Sequence, residues 1–453
     1  MKIKIENLGI LGSAELELGD LTVVCGKNNT GKTYAAYAIY GFLDYWRTRH
    51  EFDLGQDYNK AFLTKNEIVI DIDHLLERLQ TNLEEATRGY VSELPNIFAS
   101  SADRFSNTQF SVGINLENAT ELVFPQRVSF GMNESYRFET SDDLRTFVIR
   151  VVSDRSDNQD RQWMSSLCHR LLCNIVPQTL VPSPLFASAD RTGAAILSNE
   201  LRFLRDEVYQ KQKSIEGGFD IDYPLPVAHN LNAIRDTSFR AKKSSSKIQI
   251  AFDGMLGGRF DMRENRLHFC PSESPKLPLT LGESSSSVRA LLPLAMQHGN
   301  TIGRHLGSLV AGKSKMLMID EPEMNLHPAN QRRLARYFAR LVNDGYRVYI
   351  TTHSDYIVKE LNTLIMLNRQ REHDLNIMDQ YGYTREELLA PEKVRVYMTQ
   401  EESAPTTPEE AKKFTFVKAE IDTEQGIYLP SFDDTINEMN EIQDRILDYD
   451  EEK

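Results

Sequence analysis

The chain has 453 residues, 40% of them hydrophobic, with 52 Lys and Arg against 66 Asp and Glu for a formal net charge of −14. This length suits roughly three domain-sized units with real cores, and the acidic balance argues against non-specific DNA affinity over the whole surface, though not against a local basic patch. No run of about 20 apolar residues occurs, which excludes a membrane-spanning helix. Cys25, Cys168, Cys173 and Cys270 show no zinc or disulfide spacing, so a cytoplasmic protein with reduced thiols is expected.

Residues 1–8 alternate like a β-strand and do not read as a leader. Residues 21–25 are an apolar, β-branched run that predicts a buried strand. Gly26-Lys27-Asn28-Asn29-Thr30-Gly31-Lys32-Thr33 follows and fits G-x-x-x-x-G-K-[ST]; residues 34–40 are rich in helix formers. Strand, glycine loop and helix are the context this phosphate-binding motif requires. The glycines let backbone N–H groups turn inward around a β-phosphate, and the helix N-terminus adds partial positive charge. Lys32 is placed to reach β- and γ-phosphates, and the Thr33 hydroxyl to ligate Mg²⁺.

No catalytic motif occurs from 51 to 180. Helices are predicted at 74–90 and 161–176, and strands at 108–114 and 137–139. Residues 185–193 read as a strand end carrying Arg191. Lysine-rich 241–247 reads as a solvated loop in preference to a phosphate contact, and 248–252 as a strand. In 281–292 a run of four serines opens an apolar helix, leaving N–H and hydroxyl donors free for a phosphate; a polar loop that only caps a core helix is the alternative. Residues 315–322 form an apolar strand that ends in Asp320 and Glu321. The first can hold the water shell of Mg²⁺, and the second can act as general base toward water. Pro328 suits a first helical turn; Leu334, Phe338, Leu341 and Val342 make one apolar face, and Gly345 a stop. A further strand over 346–354 ends in His353, read as a sensor of the γ-phosphate. Strands are predicted at 394–398 and 414–421, a loop at 401–413 and an acidic helix at 433–447.

The order of glycine loop, Asp320-Glu321-Pro322-Glu323-x-x-Leu326-His327-Pro328 and Thr351-Thr352-His353-Ser354 resembles the stand-alone prokaryotic ATPases of the ABC superfamily. These are often labelled AAA family ATPases and are related to the ATPase half of the overcoming-lysogenization-defect nucleases, to SMC proteins and to RecF. The resemblance implies an α/β fold, an ABC-type P-loop ATPase core whose mixed sheet has helices on both sides. It divides the chain into a first core half (1–50), an inserted lid or partner-recognition α/β subdomain (51–180), a second core half (181–370) and a small strand-and-helix tail (371–453). The tail shows no strand followed by Asp-x-Asp, so it does not resemble the Toprim nuclease of the larger relatives.

The resemblance also implies ATP and Mg²⁺ as ligands, with Lys32, Glu321 and His353 in hydrolysis and Thr33 and Asp320 on the metal. Ser285 and Ser286 match the serine signature that acts on a partner subunit's ATP, whereas Ser287 stands where relatives carry glycine. A Cβ there departs from the pattern and bears on close approach to the phosphate. Arg191 matches an Arg-x-Gly strand-end motif; it is open to a contact near the nucleotide or across a dimer, and to a local salt bridge. No glutamine is assigned to the Q-loop. The expected partners are a second copy, head to tail or in a larger homo-oligomer, and a separate effector such as a nuclease in antiviral defence. DNA repair or chromosome maintenance on DNA itself is the alternative; a transporter subunit fits the long insertion poorly.

Overall fold

In the central strands of the computed structural model, neighbouring side chains alternate between two apolar layers. Val24, Met316, Met318, Tyr349 and Tyr397 face one layer, and Val23, Leu317, Ile319, Ile350 and Val396 face the other. A strand whose two faces are both buried reads in sequence as a continuous apolar run, which is why these segments were legible. The structure describes residues 1–56, 58, 67–115, 127–130, 136–140, 146–151, 169, 172–173, 180–195, 223–235, 247–263, 266–299, 315–402, 412–428 and 441.

Among the described residues the main sheet has nine strands, in the order β5-β1-β2-β16-β15-β3-β14-β13-β9. They are β1 (Lys2–Leu8), β2 (Leu11–Glu17), β3 (Leu21–Cys25), β5 (Gln109–Gly113), β9 (Ser183–Ala187), β13 (Lys315–Asp320), β14 (Arg347–Thr352), β15 (Val394–Glu401) and β16 (Phe414–Lys418). Strands β15, β3, β14, β13 and β9 run parallel, while β1 pairs antiparallel with β2 and β5, so the sheet is mixed. A smaller antiparallel sheet joins β4 (Glu67–Asp71), β8 (Thr146–Val151), β7 (Tyr136–Thr140) and β6 (Arg127–Phe130).

One face is covered by α1 (Lys32–Thr48) and α2 (Ile72–Tyr90), whose Leu75, Leu79, Leu83, Ala86 and Tyr90 recur at helical spacing and are buried. The opposite face carries the helices Pro328–Asn343 and Asp355–Leu367. Pro328 opens the first of these and Gly345, at φ 88, follows its end. This is an α/β P-loop fold with a mixed sheet and helices on both sides.

Three sequence expectations are corrected. Residues 248–252 lie in the helix Lys247–Leu256, not in a strand. Phe252 and Met255 sit on its buried side, Phe252 against Tyr337, while Ile250 is exposed, so the run follows the helical period. The stretch 51–180 is not wholly an insertion: β5 is an edge strand of the main sheet, and α2 shares the core of α1. Nor is the C-terminal part an appended tail. Strand β15 lies beside β3, in register from Val394↔Leu21 to Met398↔Cys25, and β16 bridges it to β2. Most of the expected terminal helix, of the lysine loop and of the 161–176 helix falls outside the described residues.

Candidate nucleotide site

The C-terminal ends of the parallel strands meet at one edge, where α/β folds place their ligands. From β3 the backbone turns through Gly26 (φ 142), Asn29 (φ 59) and Gly31 (φ 89) into α1. A side chain at Gly26 would overlap the Thr399 hydroxyl of β15, and one at Gly31 would overlap Leu11, so both glycines are required by space as well as by φ. Lys27, Asn28 and Asn29 are exposed, and Thr30 Oγ1 donates to the Lys27 carbonyl at 2.8 Å. Lys32 is buried, and its Nζ donates to the carbonyls of Gly26 at 2.8 Å and Lys27 at 2.6 Å. Burial lowers its pKa, opposed by the charges of Glu321 and Asp320.

The end of β13 brings the acidic pair to this loop, and the end of β14 brings Thr351 and His353. Thr33 Oγ1 donates to Asp320 Oδ1 at 3.1 Å and Oδ2 at 3.0 Å. The Thr351 hydroxyl also donates to Asp320. Asp320 is buried, and desolvation pushes its carboxyl up to about 6 against the pull of the two hydroxyls. A hydroxyl beside a carboxylate is a hard-oxygen pair, which fits Mg²⁺. That ion usually takes one or two protein oxygens and fills the rest of its shell with water and phosphate, so no larger cluster of ligands is needed.

Glu321 sits at φ 48, a left-handed backbone unusual for a non-glycine residue. Its N–H donates to the Thr351 carbonyl at 3.0 Å, and its carbonyl accepts from Arg191 at 2.8 Å. The side chain stays partly exposed, with Oε1 at 3.7 Å from His353 Nδ1. Thus Lys32, Thr33, Asp320, Glu321 and His353 converge from a loop and two strand ends, with 287 positions between Thr33 and Asp320 in the chain.

Arg191 is placed differently from either expectation. It is 1% exposed, and Nε donates to Ala290 O at 2.8 Å, Nη1 to Ser188 O at 3.0 Å and Asp320 O at 2.8 Å, and Nη2 to Glu321 O at 2.8 Å. Burial lowers its pKa to about 10. A guanidinium spent on four carbonyls is neither an open nucleotide contact nor a side-chain salt bridge: it ties β9, the end of β13 and the serine helix together. That helix is Ser286–Ala290, with Ser285 as N-cap accepting from Val288 N at 3.3 Å. Ser285 and Ser286 are exposed, and Ser287 is within 2.8 Å of the Ser285 hydroxyl.

Two further residues escaped the sequence reading. Glu323 and Thr351 stood inside the matched motifs without a role; both hold site residues by hydrogen bonds.

The glycine loop and strand-end acids on this sheet define a P-loop nucleoside triphosphatase. Residues 1–141 and 150–358, about three quarters of the chain, match the family model described as AAA ATPase domain, and the chain belongs to that family of ATPases. A search of the curated proteins finds no match. Among solved structures, the chain is similar to an SMC head bound to the C-winged helix domain of ScpA (12% identity, 92% of this chain and 97% of that one, TM-score 0.37). It is also similar to the SMC head domain from Thermotoga maritima (11% identity, 93% and 98%, TM-score 0.35). A third is an Smc head domain with an extended coiled coil bound to the C-terminal domain of ScpA, from Pyrococcus furiosus (12% identity, 98% of each chain, TM-score 0.34).

Proposed function

We propose that this ATPase binds ATP with Mg²⁺ at residues 26–33, hydrolyses it with Glu321 as general base, and pairs head to tail with a second copy to control a separate effector, a nuclease in antiviral defence. The observation that supports it is the convergence of Lys32, Thr33, Asp320, Glu321 and His353 at one sheet edge. Lys32 exchanges its two loop carbonyls for β- and γ-phosphate oxygens, compensating their charge. Thr33 and Asp320 would hold Mg²⁺, which neutralises phosphate charge when bound. Glu321 accepts a proton from the water that attacks the γ-phosphorus, and the bond to the bridging oxygen breaks, leaving ADP and phosphate. His353, at the neighbouring strand end, senses the γ-phosphate.

Exposed Ser285 and Ser286 suit a surface that completes the partner's site, and a two-fold pair gives two such sites. Arg191 then lies on the path from that surface to Glu321. Net charge −14 favours a protein effector over extended DNA contact. The test mixes a Lys32→Ala chain with a Ser285→Arg chain, each inactive alone. One working site per mixed pair is expected, and nucleotide-dependent co-purification with the product of a neighbouring nuclease gene. Failure of rescue, with a monomer in ATP by light scattering, removes the dimer; salt-sensitive duplex DNA binding by the chain alone favours DNA maintenance instead.

A further inference from the structure

We infer that Tyr34 is the platform on which the base of the nucleotide stacks, and so sets affinity for the nucleoside half of the ligand. The inference rests on the proposed nucleotide site, whose strand ends fix the direction in which the ligand lies. Asp320, Glu321 and His353 stand on the β14 and β13 side of β3, so the γ-phosphate end points that way. The nucleoside leaves the glycine loop on the other side, where the sheet continues through β15, β16, β2 and β1. The turn between β1 and β2 reaches back over that side. A side chain at Gly31 would lie 2.5 Å from Leu11, and one at Gly9 would lie 2.7 Å from the Tyr34 ring.

Tyr34 follows Thr33 directly in the first turn of α1. Its ring stacks on Phe98, the last residue of the short helix Leu94–Phe98, with centroids 5.1 Å apart and planes 28° from parallel. Gly9, at φ 59, sets bare backbone against the ring edge, where a Cβ has no room. The turn that carries Gly9 is pinned by two other segments. Asn7 O accepts from the Thr108 hydroxyl at 2.8 Å, Asn7 Oδ1 from Lys413 Nζ at 2.8 Å, and Ile10 O from Phe414 N at 3.0 Å. The slot therefore stands ready without a ligand, and filling it orders few groups. Tyr37 and Tyr40, further along α1, are buried, whereas the Tyr34 ring is 38% exposed. Its hydroxyl makes no hydrogen bond among the described residues, so the position uses the ring and not its polar tip. What Tyr34 offers is an aromatic face, backed by Phe98, one residue beyond the phosphate-binding loop. Such a face holds a base by stacking, which needs no hydrogen bond to the base edge.

The test compares ADP with inorganic pyrophosphate, which lacks the nucleoside, by calorimetry in the presence of Mg²⁺. Neither affinity depends on Glu321 as base. Tyr34→Ala should weaken ADP about tenfold or more and leave pyrophosphate within about twofold. Tyr34→Phe, which keeps the face, should hold ADP within about twofold. Gly9→Ala should displace the ring and weaken ADP about threefold or more, yet add less than about twofold in a Tyr34→Ala background. Should Tyr34→Ala fail to fold, Tyr34→Leu keeps apolar bulk against Phe98 and carries the same expectation. ADP binding unchanged by loss of the ring, an equal loss of ADP and pyrophosphate, or full additivity with Gly9→Ala overturns the inference. Wild type that binds neither ligand removes the nucleotide site itself and the inference with it. Persistent hydrolysis in Glu321→Gln removes only the assigned base.

Discussion

Asp320 should cost the nucleotide-free protein stability, and replacing it by asparagine should return that stability while ending hydrolysis. Its carboxyl is buried, and its pKa is raised from 3.8 to about 6. The folded chain therefore binds this proton more tightly than the unfolded chain does. Below pH ~4 both states are protonated and there is no cost; the cost grows as pH rises and is complete above pH ~6. A shift of about two pH units is worth about 3 kcal/mol, roughly half of it present at pH 5. Asparagine keeps an acceptor for the Thr33 and Thr351 hydroxyls and never ionises, so Asp320→Asn escapes the cost. With unfolding entropy of about 2 cal/mol/K per residue, 3 kcal/mol corresponds to ~3 °C in Tm for a chain this long. The assay is a thermal melt in EDTA without nucleotide at pH 5 and pH 8. The variant should melt above wild type by ~3 °C at pH 8 and by about half as much at pH 5. An equal or lower Tm at pH 8, or a gap independent of pH, refutes the reasoning.

Arg191→Met should leave buried carbonyls of Ser188, Ala290, Asp320 and Glu321 without their donor, lowering stability by about 3–5 kcal/mol in denaturant titrations. Arg191→Lys keeps the charge but loses the fork; kcat should fall about tenfold with ATP affinity held within about threefold, and an unchanged kcat would mean that Glu321 does not need this support. Gly26→Ala meets both a φ of 142 and the Thr399 hydroxyl, so about 1–3 kcal/mol of strain should weaken ATP binding about tenfold or more in a fluorescent-nucleotide titration. Adding Thr399→Ala should restore part of that loss, because the overlap goes while the backbone strain stays.

The centre of this fold was legible because its strands are buried on both faces. Residues 21–25, 315–320 and 347–352 are mostly apolar; 315–320 ends in Asp320, and the other two lead directly into the glycine loop and into His353. The α2 helix was legible from leucines at helical spacing. What failed was chain-distant pairing. Nothing local in 394–401 says that this strand lies against β3, or that 109–113 pairs with β1, because register is decided by partners far away in sequence. Ile248 to Phe252 misled because a short apolar run fits either period, and only its packing on Tyr337 decides. Arg191 misled for a related reason: an arginine after a strand end looks like a ligand contact until the carbonyls of its own turn and of two other segments are seen around it. Glu323 and Thr351 are recognisable only through what they hold.

The claim on which the rest depends is that Glu321, in its left-handed turn beside Lys32 and Asp320, takes the proton of the attacking water. Single-turnover hydrolysis of ATP, measured together with ATP affinity in wild type and Glu321→Gln, tests it most directly. The account predicts near wild-type affinity for the variant and a rate lower by about 10²–10⁴, because an amide cannot accept that proton. Equal turnover in the two proteins would contradict it.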